Sequence, residues 1–238
     1  MPKIVIIGGS SEIGNAISNE LLRRNSRKFQ GVIKLSTSLK IEGVVSWNPV
    51  SLEDVEDGLR KIGFEANDVV IVALGTLGDL AKQNELTDLS HITKMYFVNQ
   101  LIPILALSYV AGKLESLGGG KVILLSSTAA FPVLDSNFMY GSAKYELDTY
   151  ARFLQRSKLL QHVKICVVRF GFIRTKLNKG RTPTPFSRTA EEVAKIVVTH
   201  MNKDLVWAPK IFKYISFVLC RMPQLKYVAN KLVENSRK

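Results

Sequence analysis

The chain has 238 residues, 46% of them hydrophobic and 22% charged, which suits one α/β domain with a sizeable core and excludes a disordered protein. The two cysteines, Cys166 and Cys220, stand in unrelated contexts, which argues against disulfides and against a zinc site of the usual spacing. The formal net charge of +13 points to an anionic partner, which is nucleic acid, a membrane surface or a substrate.

Five short apolar runs, rich in β-branched residues, predict buried parallel strands. They cover residues 3–8, 31–36, 68–75, 120–127 and 163–171. Helical spacing fills the segments between and after them, at 12–25, 51–61, about 86–116, 137–160 and 189–202. This alternation predicts a single-domain, Rossmann-type doubly wound parallel sheet with helices on both faces, over residues 1–206. Ligands of such a sheet bind beyond the carboxyl ends of the strands.

The first of these strand ends carries the loop GGSSEIG, Gly8 to Gly14. Gly8 permits a tight turn, Gly14 allows the next helix to pack closely, and Ser10 and Ser11 can cap that helix. Free amides at the helix start would face a pyrophosphate. The loop lacks the middle glycine of the usual dinucleotide fingerprint, so an ordinary strand-to-helix turn stays an alternative. Glu12 falls in the first helical turn, where the helix dipole favours an acid.

A second set of polar residues has spacings that suit proton transfer. Tyr140 and Lys144 lie one turn apart on one helix face, where the cation can lower the pKa of the phenol. Ser127 stands thirteen residues before Tyr140 at the end of a strand, whereas Tyr109 and Tyr227, which also precede a lysine by four, lack such a serine. Asn99 lies in a long apolar helix, where a structural bond from helix to loop is the alternative to a role in the site.

These pieces together resemble the short-chain dehydrogenase/reductase family over residues 3–206. The matching segments are GGSSEIG, VALG at 72–75, Asn99, Ser127, the Tyr140/Lys144 pair and RFGFIRT at 169–175. The resemblance implies hydride transfer between NAD(P) and a carbonyl or secondary alcohol. It implies that Tyr140 is the acid/base, Ser127 polarises the substrate oxygen, Lys144 holds the nicotinamide ribose, and Asn99 anchors a water.

The same resemblance assigns the cofactor site and a branch of the family. The implied cofactor-binding residues are Gly8, Ser10, Ser11, Ile13, Gly14, Ser36, Thr37, Ala73, Gly75, Tyr140, Lys144, Gly171, Ile173 and Thr175. The wording of GGSSEIG, VVRFGFIRT and PFSRTAEEVAKIV is similar to the branch of decaprenylphosphoryl-2-keto-ribose reductases, in which a glutamate at position 12 is normal.

The end of the second strand bears on the choice of nicotinamide. It reads KLSTSLK, with Ser36, Thr37 and Ser38 followed by Lys40, and no carboxylate that would bind the ribose hydroxyls of NAD or repel a 2′-phosphate. No arginine stands there to clamp that phosphate either. The sequence therefore favours NADP slightly over NAD.

Two basic segments indicate the partner. Residues 170–190 carry five basic residues and no acid, which predicts either an electropositive mouth for an anionic substrate or a solvated loop. They are Arg174, Lys176, Lys179, Arg181 and Arg188. Residues 207–238 carry seven basic residues and one acidic one beside a short apolar run, which predicts a basic amphipathic tail. That tail lies either in a membrane interface or against the domain or a partner subunit.

The remaining expectations concern location and rival functions. Met-Pro-Lys leads directly into an apolar strand without the basic lead-in and cleavage site of a secretory signal, so we expect a cytoplasmic protein. If the tail lies in a membrane interface rather than against the domain or a partner subunit, it would attach the protein peripherally to the membrane. We expect a homo-oligomer with a small-molecule or lipid-linked anionic substrate, no metal and no nucleic acid. The alternatives are a catalytically idle dinucleotide-binding regulator and a reductase of an unrelated small carbonyl compound.

Overall fold

The computed structural model describes residues 1–36, 44–79, 87–184 and 186–222, with residues 225 and 227. Its strands are β1 Ile4–Ile7, β2 Val32–Ser36, β3 Val44–Ser46, β4 Val69–Val72, β5 Gly120–Ser127, β6 Val163–Phe170, β7 Ile173–Arg174, β8 Arg188–Thr189 and β9 Leu205–Ala208. Seven of them form one parallel sheet in the order β3-β2-β1-β4-β5-β6-β9. The short strands β7 and β8 pair with each other. The predicted doubly wound parallel sheet is confirmed.

Helices cover both faces of this sheet. They are α1 Glu12–Asn25, α2 Leu52–Arg60, α3 Leu89–Tyr96, α4 Ile102–Ser116, α5 Phe138–Arg156, α6 Ala190–His200 and α7 Ile211–Arg221. Side chains of α1 and α6 share one core cluster, and those of α2, α4 and α5 share the other. Each predicted helix ends within a few residues of its observed bounds.

The two clusters follow from the alternation of side chains along each strand. In β1, Ile4 and Ile6 pack toward α1 and α6, and Val5 and Ile7 pack toward α4. All four side chains are fully buried, which suits a parallel strand that is covered on both faces. Burying a side chain of this size contributes roughly 1.5–3 kcal/mol.

The long apolar helix predicted at about 86–116 consists of α3, a π-helical turn at Phe97–Leu101, and α4. By length and composition Leu89–Ser116 would be long and apolar enough to cross a membrane. Its buried residues Ile102, Leu107 and Val110 instead belong to the core cluster on the α4 face. Packing within the domain therefore accounts for its apolar character.

Strands β3 and β9 do not appear among the predicted strands. With three and four residues they are too short for a periodic signal, and their extended form depends on pairing with β2 and β6 at the two edges of the sheet. Strand β9 crosses the predicted boundary between residues 206 and 207. The tail therefore begins within the sheet, and α7 follows directly.

Candidate active site

A cavity of about 520 Å³ opens beyond the carboxyl ends of the central strands. Its wall is built from the loops after β1 and β4, the ends of β2 and β5, the start of α5 and the segment after β6. It brings together ten of the residues that the sequence assigned to cofactor binding or proton transfer. They are Gly8, Ser10, Ser11, Ile13, Ser36, Ala73, Gly75, Tyr140, Lys144 and Thr175.

The glycine loop leaves no room for side chains where it crosses the sheet edge. Gly8 has a φ of +94°, a conformation that side chains disfavour, and a Cβ there would lie 2.8 Å from the Ala73 carbonyl oxygen. A Cβ on Gly14 would lie 2.9 Å from Ile6, so this glycine lets α1 pack on β1. The Ser11 Oγ accepts the Gly14 N–H at 3.1 Å. The N-terminus of α1 thus borders the cavity, where its free N–H groups can bind an anion such as a pyrophosphate.

Lys144 also lines the cavity and is buried. Its Nζ donates to the Leu74 carbonyl at 2.9 Å, and a Cβ on Gly75 would lie 3.3 Å from it. Burial lowers the pKa of Lys144 to about 8. Because Gly75 has no side chain, space remains beside the Lys144 ammonium. This ammonium can donate a hydrogen bond to a ribose hydroxyl.

The Ser127 side chain lies close enough to the phenol of Tyr140 to act on its pKa as a hydrogen-bond partner. Burial raises the pKa of Tyr140, and the Ser127 bond and the positive charge of Arg181 oppose that rise. Lys144 Nζ lies 5.9 Å from the centre of the Tyr140 ring. The sequence predicted that Lys144 lowers the pKa of the phenol, but burial raises that pKa, and Lys144 is not among the groups that oppose the rise. A phenol that stays protonated is suited to donate a proton to a carbonyl oxygen.

Asn99 is fully buried in the π-helical turn, behind the cavity wall. Its Oδ1 accepts the Thr76 N–H at 2.9 Å, and its Nδ2 donates to the Met95 carbonyl at 2.9 Å. The structure thus shows the helix-to-loop bond that the sequence left as an alternative. Through this bond Asn99 fixes the loop that carries Gly75.

Other predicted cofactor residues support the wall from behind. Gly14 packs α1 on the sheet, Gly171 abuts the Phe212 ring, and Ile173 is buried in the core cluster beneath α6. Thr37 lies outside the described residues, as do Ser38 and Lys40, so the predicted NADP contacts beyond Ser36 stay a prediction.

A buried charge network beneath Ser127 was missed by the sequence analysis. Asp148 accepts hydrogen bonds from the Ser126 hydroxyl at 2.6 Å and from Arg169 Nε at 2.8 Å. The Arg169 guanidinium lies 3.7 Å from the ring centre of Phe131 and 4.8 Å from that of Trp207. The signal was present, because Asp148 continues the four-residue spacing of Tyr140 and Lys144 along α5. This network joins α5 to the strand ends that carry the site.

Four of the five basic residues after β6 divide into two groups, and the fifth, Lys179, is exposed. Arg174 and Arg188 turn toward Glu192 on α6, with nitrogen-to-oxygen distances of 3.9 and 3.4 Å. Lys176 lines the cavity, and the charge of Arg181 acts on Tyr140. The electropositive character of the mouth therefore comes from Lys176 and Arg181 more than from the two paired arginines.

The family model described as short chain dehydrogenase matches residues 2–185. The chain belongs to this family. It is therefore an NAD(P)-dependent oxidoreductase, as the sequence resemblance predicts.

The chain is similar along nearly its whole length to uncharacterized oxidoreductases. One from Mycobacterium tuberculosis strain H37Rv is 26% identical, over 93% of this chain and 94% of the relative. One from Streptomyces coelicolor is 26% identical, over 93% of this chain and 92% of the relative. A crystal structure of a short chain dehydrogenase from Burkholderia cenocepacia in complex with NADP has a TM-score of 0.71 at 16% identity, over 96% of this chain and 97% of that one. None of these three names states a substrate.

Proposed function

We propose that the protein moves a hydride between a nicotinamide cofactor and a carbonyl group or secondary alcohol, with Tyr140 as the proton donor or acceptor. The observation that carries this proposal is that Tyr140 and the buried Lys144 line the cavity that the glycine loop also lines, with the Ser127 side chain acting on the phenol of Tyr140. The dinucleotide supplies the hydride when bound. Ser127 polarises the substrate oxygen, Tyr140 transfers the proton at Oη, and Lys144 holds the nicotinamide ribose.

The wall of the cavity supports a dinucleotide and, by a small margin, NADP. The N-terminus of α1 can hold the pyrophosphate, and Ser36 ends β2 without a carboxylate that would repel a 2′-phosphate. The Burkholderia family member holds NADP. We favour NADP over NAD on these grounds, and relative kcat/KM values with NADPH and NADH measure the preference.

The charge at the mouth supports an anionic substrate. Lys176 lines the cavity and the Arg181 charge reaches Tyr140, so a negative group near the reacting carbon would be attracted. We therefore propose a phosphorylated or lipid-linked keto-sugar, the class on which the decaprenylphosphoryl-2-keto-ribose reductases act and which the loop wording resembles.

A matched pair of substrates tests this class. We expect kcat/KM for a keto-pentose phosphate to exceed that for the unphosphorylated keto-pentose at least about tenfold, because a charge-assisted contact is worth about 1.5–3 kcal/mol. Arg181→Gln should remove most of the difference, and Lys195→Gln, an exposed lysine on α6, should not. Equal values for the two substrates would contradict the anionic class. Turnover of either one would exclude the idle regulator.

Helix α7 supports a peripheral contact with an anionic membrane. Four apolar side chains at helical spacing are 37–48% exposed, and we call them the α7 strip: Ile211, Ile215, Val218 and Met222. Phe212 faces the domain instead, with its ring 6.3 Å from that of Phe186. Exposed Lys210, Lys213 and Arg221 flank the strip. An apolar strip with a basic flank is suited to the interface of an anionic bilayer. Such docking would place the mouth of the cavity near a lipid-linked substrate.

Vesicle co-sedimentation tests this contact. We expect the protein to bind vesicles that contain anionic lipid, and the double variant Ile215→Glu/Val218→Glu to lose at least about tenfold in binding, because it removes apolar burial and adds two negative charges. Leu159→Glu, at another exposed apolar position, is the control. Salt should release the wild type only in part, since apolar insertion is not screened. If the double variant changes the oligomeric state and the wild type leaves vesicles unbound, the strip is a subunit interface.

A further inference from the structure

Glu12 makes a contact that the proposed chemistry does not use. It is the first residue of α1, and its carboxylate Oε2 accepts the backbone N–H of Lys176 at 2.5 Å, across 164 positions of the chain. Both residues line the cavity. An ordinary exposed helix-start glutamate needs no such distant partner, so the contact calls for an explanation.

The two residues belong to opposite walls of the cavity. Glu12 follows β1, and Lys176 lies in the segment after β6, just beyond β7. Strands β4 and β5 lie between β1 and β6 in the sheet. Three strand spacings separate β1 and β6 by about 14 Å. The Glu12–Lys176 bond therefore closes a gap that the sheet itself leaves open, at the edge where the pyrophosphate would lie.

We infer that Glu12 is a positioning residue that straps the segment after β6 across the dinucleotide cavity, so that its bond to Lys176 opens when the cofactor enters or leaves. This inference rests on the proposed dinucleotide cavity and is independent of the substrate class. The bond is suited to the task because an amide donating to a carboxylate forms a strong, short hydrogen bond. The carboxylate also repels the nearby pyrophosphate, which opposes tighter binding of the cofactor. The strap therefore slows both association and dissociation of the cofactor more than it raises the affinity at equilibrium.

This role accounts for a glutamate at position 12. The side chain must reach from the helix start to the far wall, and it must accept a hydrogen bond there. Glycine, the usual residue at this point of the family loop, can do neither. The acid is also tolerated by its position, since the first turn of a helix favours negative charge.

Stopped-flow fluorescence of NADPH with the full-length protein tests the strap. We expect Glu12→Ala to raise both the association and the dissociation rate about five- to tenfold, as loss of one ordinary hydrogen bond at an exposed side chain implies, with Kd changed less than about threefold. Glu12→Gln retains an acceptor and should stay within about threefold of the wild type in both rates. Glu191→Ala, an exposed acid in the first turn of α6, is the control.

Two results would overturn the inference. Rates of Glu12→Ala within twofold of the wild type would show that the bond does not limit exchange. Equal rates in Glu12→Ala and Glu12→Gln, both faster than the wild type, would assign the effect to charge alone. These measurements follow cofactor binding alone. Absence of substrate turnover would therefore contradict the proposed function without contradicting the role of Glu12.

Hydrogen exchange at the Lys176 amide gives a second reading that needs no cofactor. This amide should be protected in the wild type and in Glu12→Gln, and should exchange at least about tenfold faster in Glu12→Ala. Unchanged protection in Glu12→Ala would overturn the strap, whatever the NADPH rates show.

Discussion

Tyr140→Phe is expected to lower kcat by at least about 100-fold, because it deletes the proposed proton donor, and general acid chemistry supplies about 10²–10⁴ in rate. Affinity for NADPH should stay within about threefold, since the loop after β1 and Lys144 remain in place. The measurements are steady-state turnover and NADPH fluorescence titration of the same preparation. Their separation distinguishes a chemical role of the phenol from a structural one.

Tyr109→Phe is the matched control for this experiment. Tyr109 also precedes a lysine by four residues, but it packs against the core cluster beside Phe64, with ring centres 6.5 Å apart. Loss of its hydroxyl should leave kcat within a few-fold. If Tyr140→Phe behaved like Tyr109→Phe, the assignment of the acid/base would be wrong. A parallel loss of NADPH binding would instead show that the phenol supports the cofactor cavity.

The elements that the sequence predicted well are those with strong local signals. The run Ile4–Ile7 is apolar throughout and followed by glycine, and helix α1 begins at Glu12 and ends at Asn25, as its periodicity predicts. Alternation of such elements leaves few topologies, because parallel strands need a covering crossover. The doubly wound sheet could thus be predicted without any pairing information.

The parts that were missed depend on contacts between distant residues. Strand β3 has three residues and exists through pairing with β2, and Trp47 at its end donates to the Asp54 carbonyl at 2.9 Å and lines the cavity. Nothing in the local pattern around Trp47 predicts this. The strap between Glu12 and Lys176 is equally invisible in sequence, because its two partners lie 164 residues apart.

The candidate site shows the same division at the level of single residues. The spacing of Tyr140 and Lys144 predicts that they share a helix face, and the cavity contains both. The spacing does not predict that burial raises the pKa of Tyr140, since this depends on how the surrounding elements close over the phenol. Asn99 is a further case, because only its partners reveal a bond to Thr76.

Asp148→Ala is expected to destabilise the protein by about 3–5 kcal/mol, the usual cost of removing one partner of a buried ion pair. The Asp148 side chain is fully buried and that of Arg169 is only 12% exposed, so the variant leaves a guanidinium without its counterion away from water. The Ser126 hydroxyl also loses its acceptor. Urea unfolding followed by circular dichroism measures the change in the free energy of unfolding.

Two controls separate burial from charge. Glu56→Ala removes one partner of the exposed pair with Arg60 on α2 and should cost less than about 1 kcal/mol. The double variant Asp148→Ala/Arg169→Met removes both charges and keeps an apolar side chain between Phe131 and Trp207. It should be more stable than Asp148→Ala alone, because an uncompensated buried charge costs more than the loss of the whole pair.

The same variants connect stability to the site. Asp148 holds α5, which carries Tyr140 and Lys144, against Ser126, the neighbour of Ser127 at the end of β5. In Asp148→Ala the Tyr140 phenol and the Ser127 hydroxyl should no longer be held in a fixed relative position. We therefore expect kcat to fall about tenfold even where the protein is still folded, as small misplacement of reacting groups implies. The double variant should recover stability without recovering kcat, because it restores no bond between α5 and the strand. Full recovery of both would show that Asp148 acts only by neutralising Arg169, and a loss below about 1 kcal/mol in Asp148→Ala would show that the network is not closed to water.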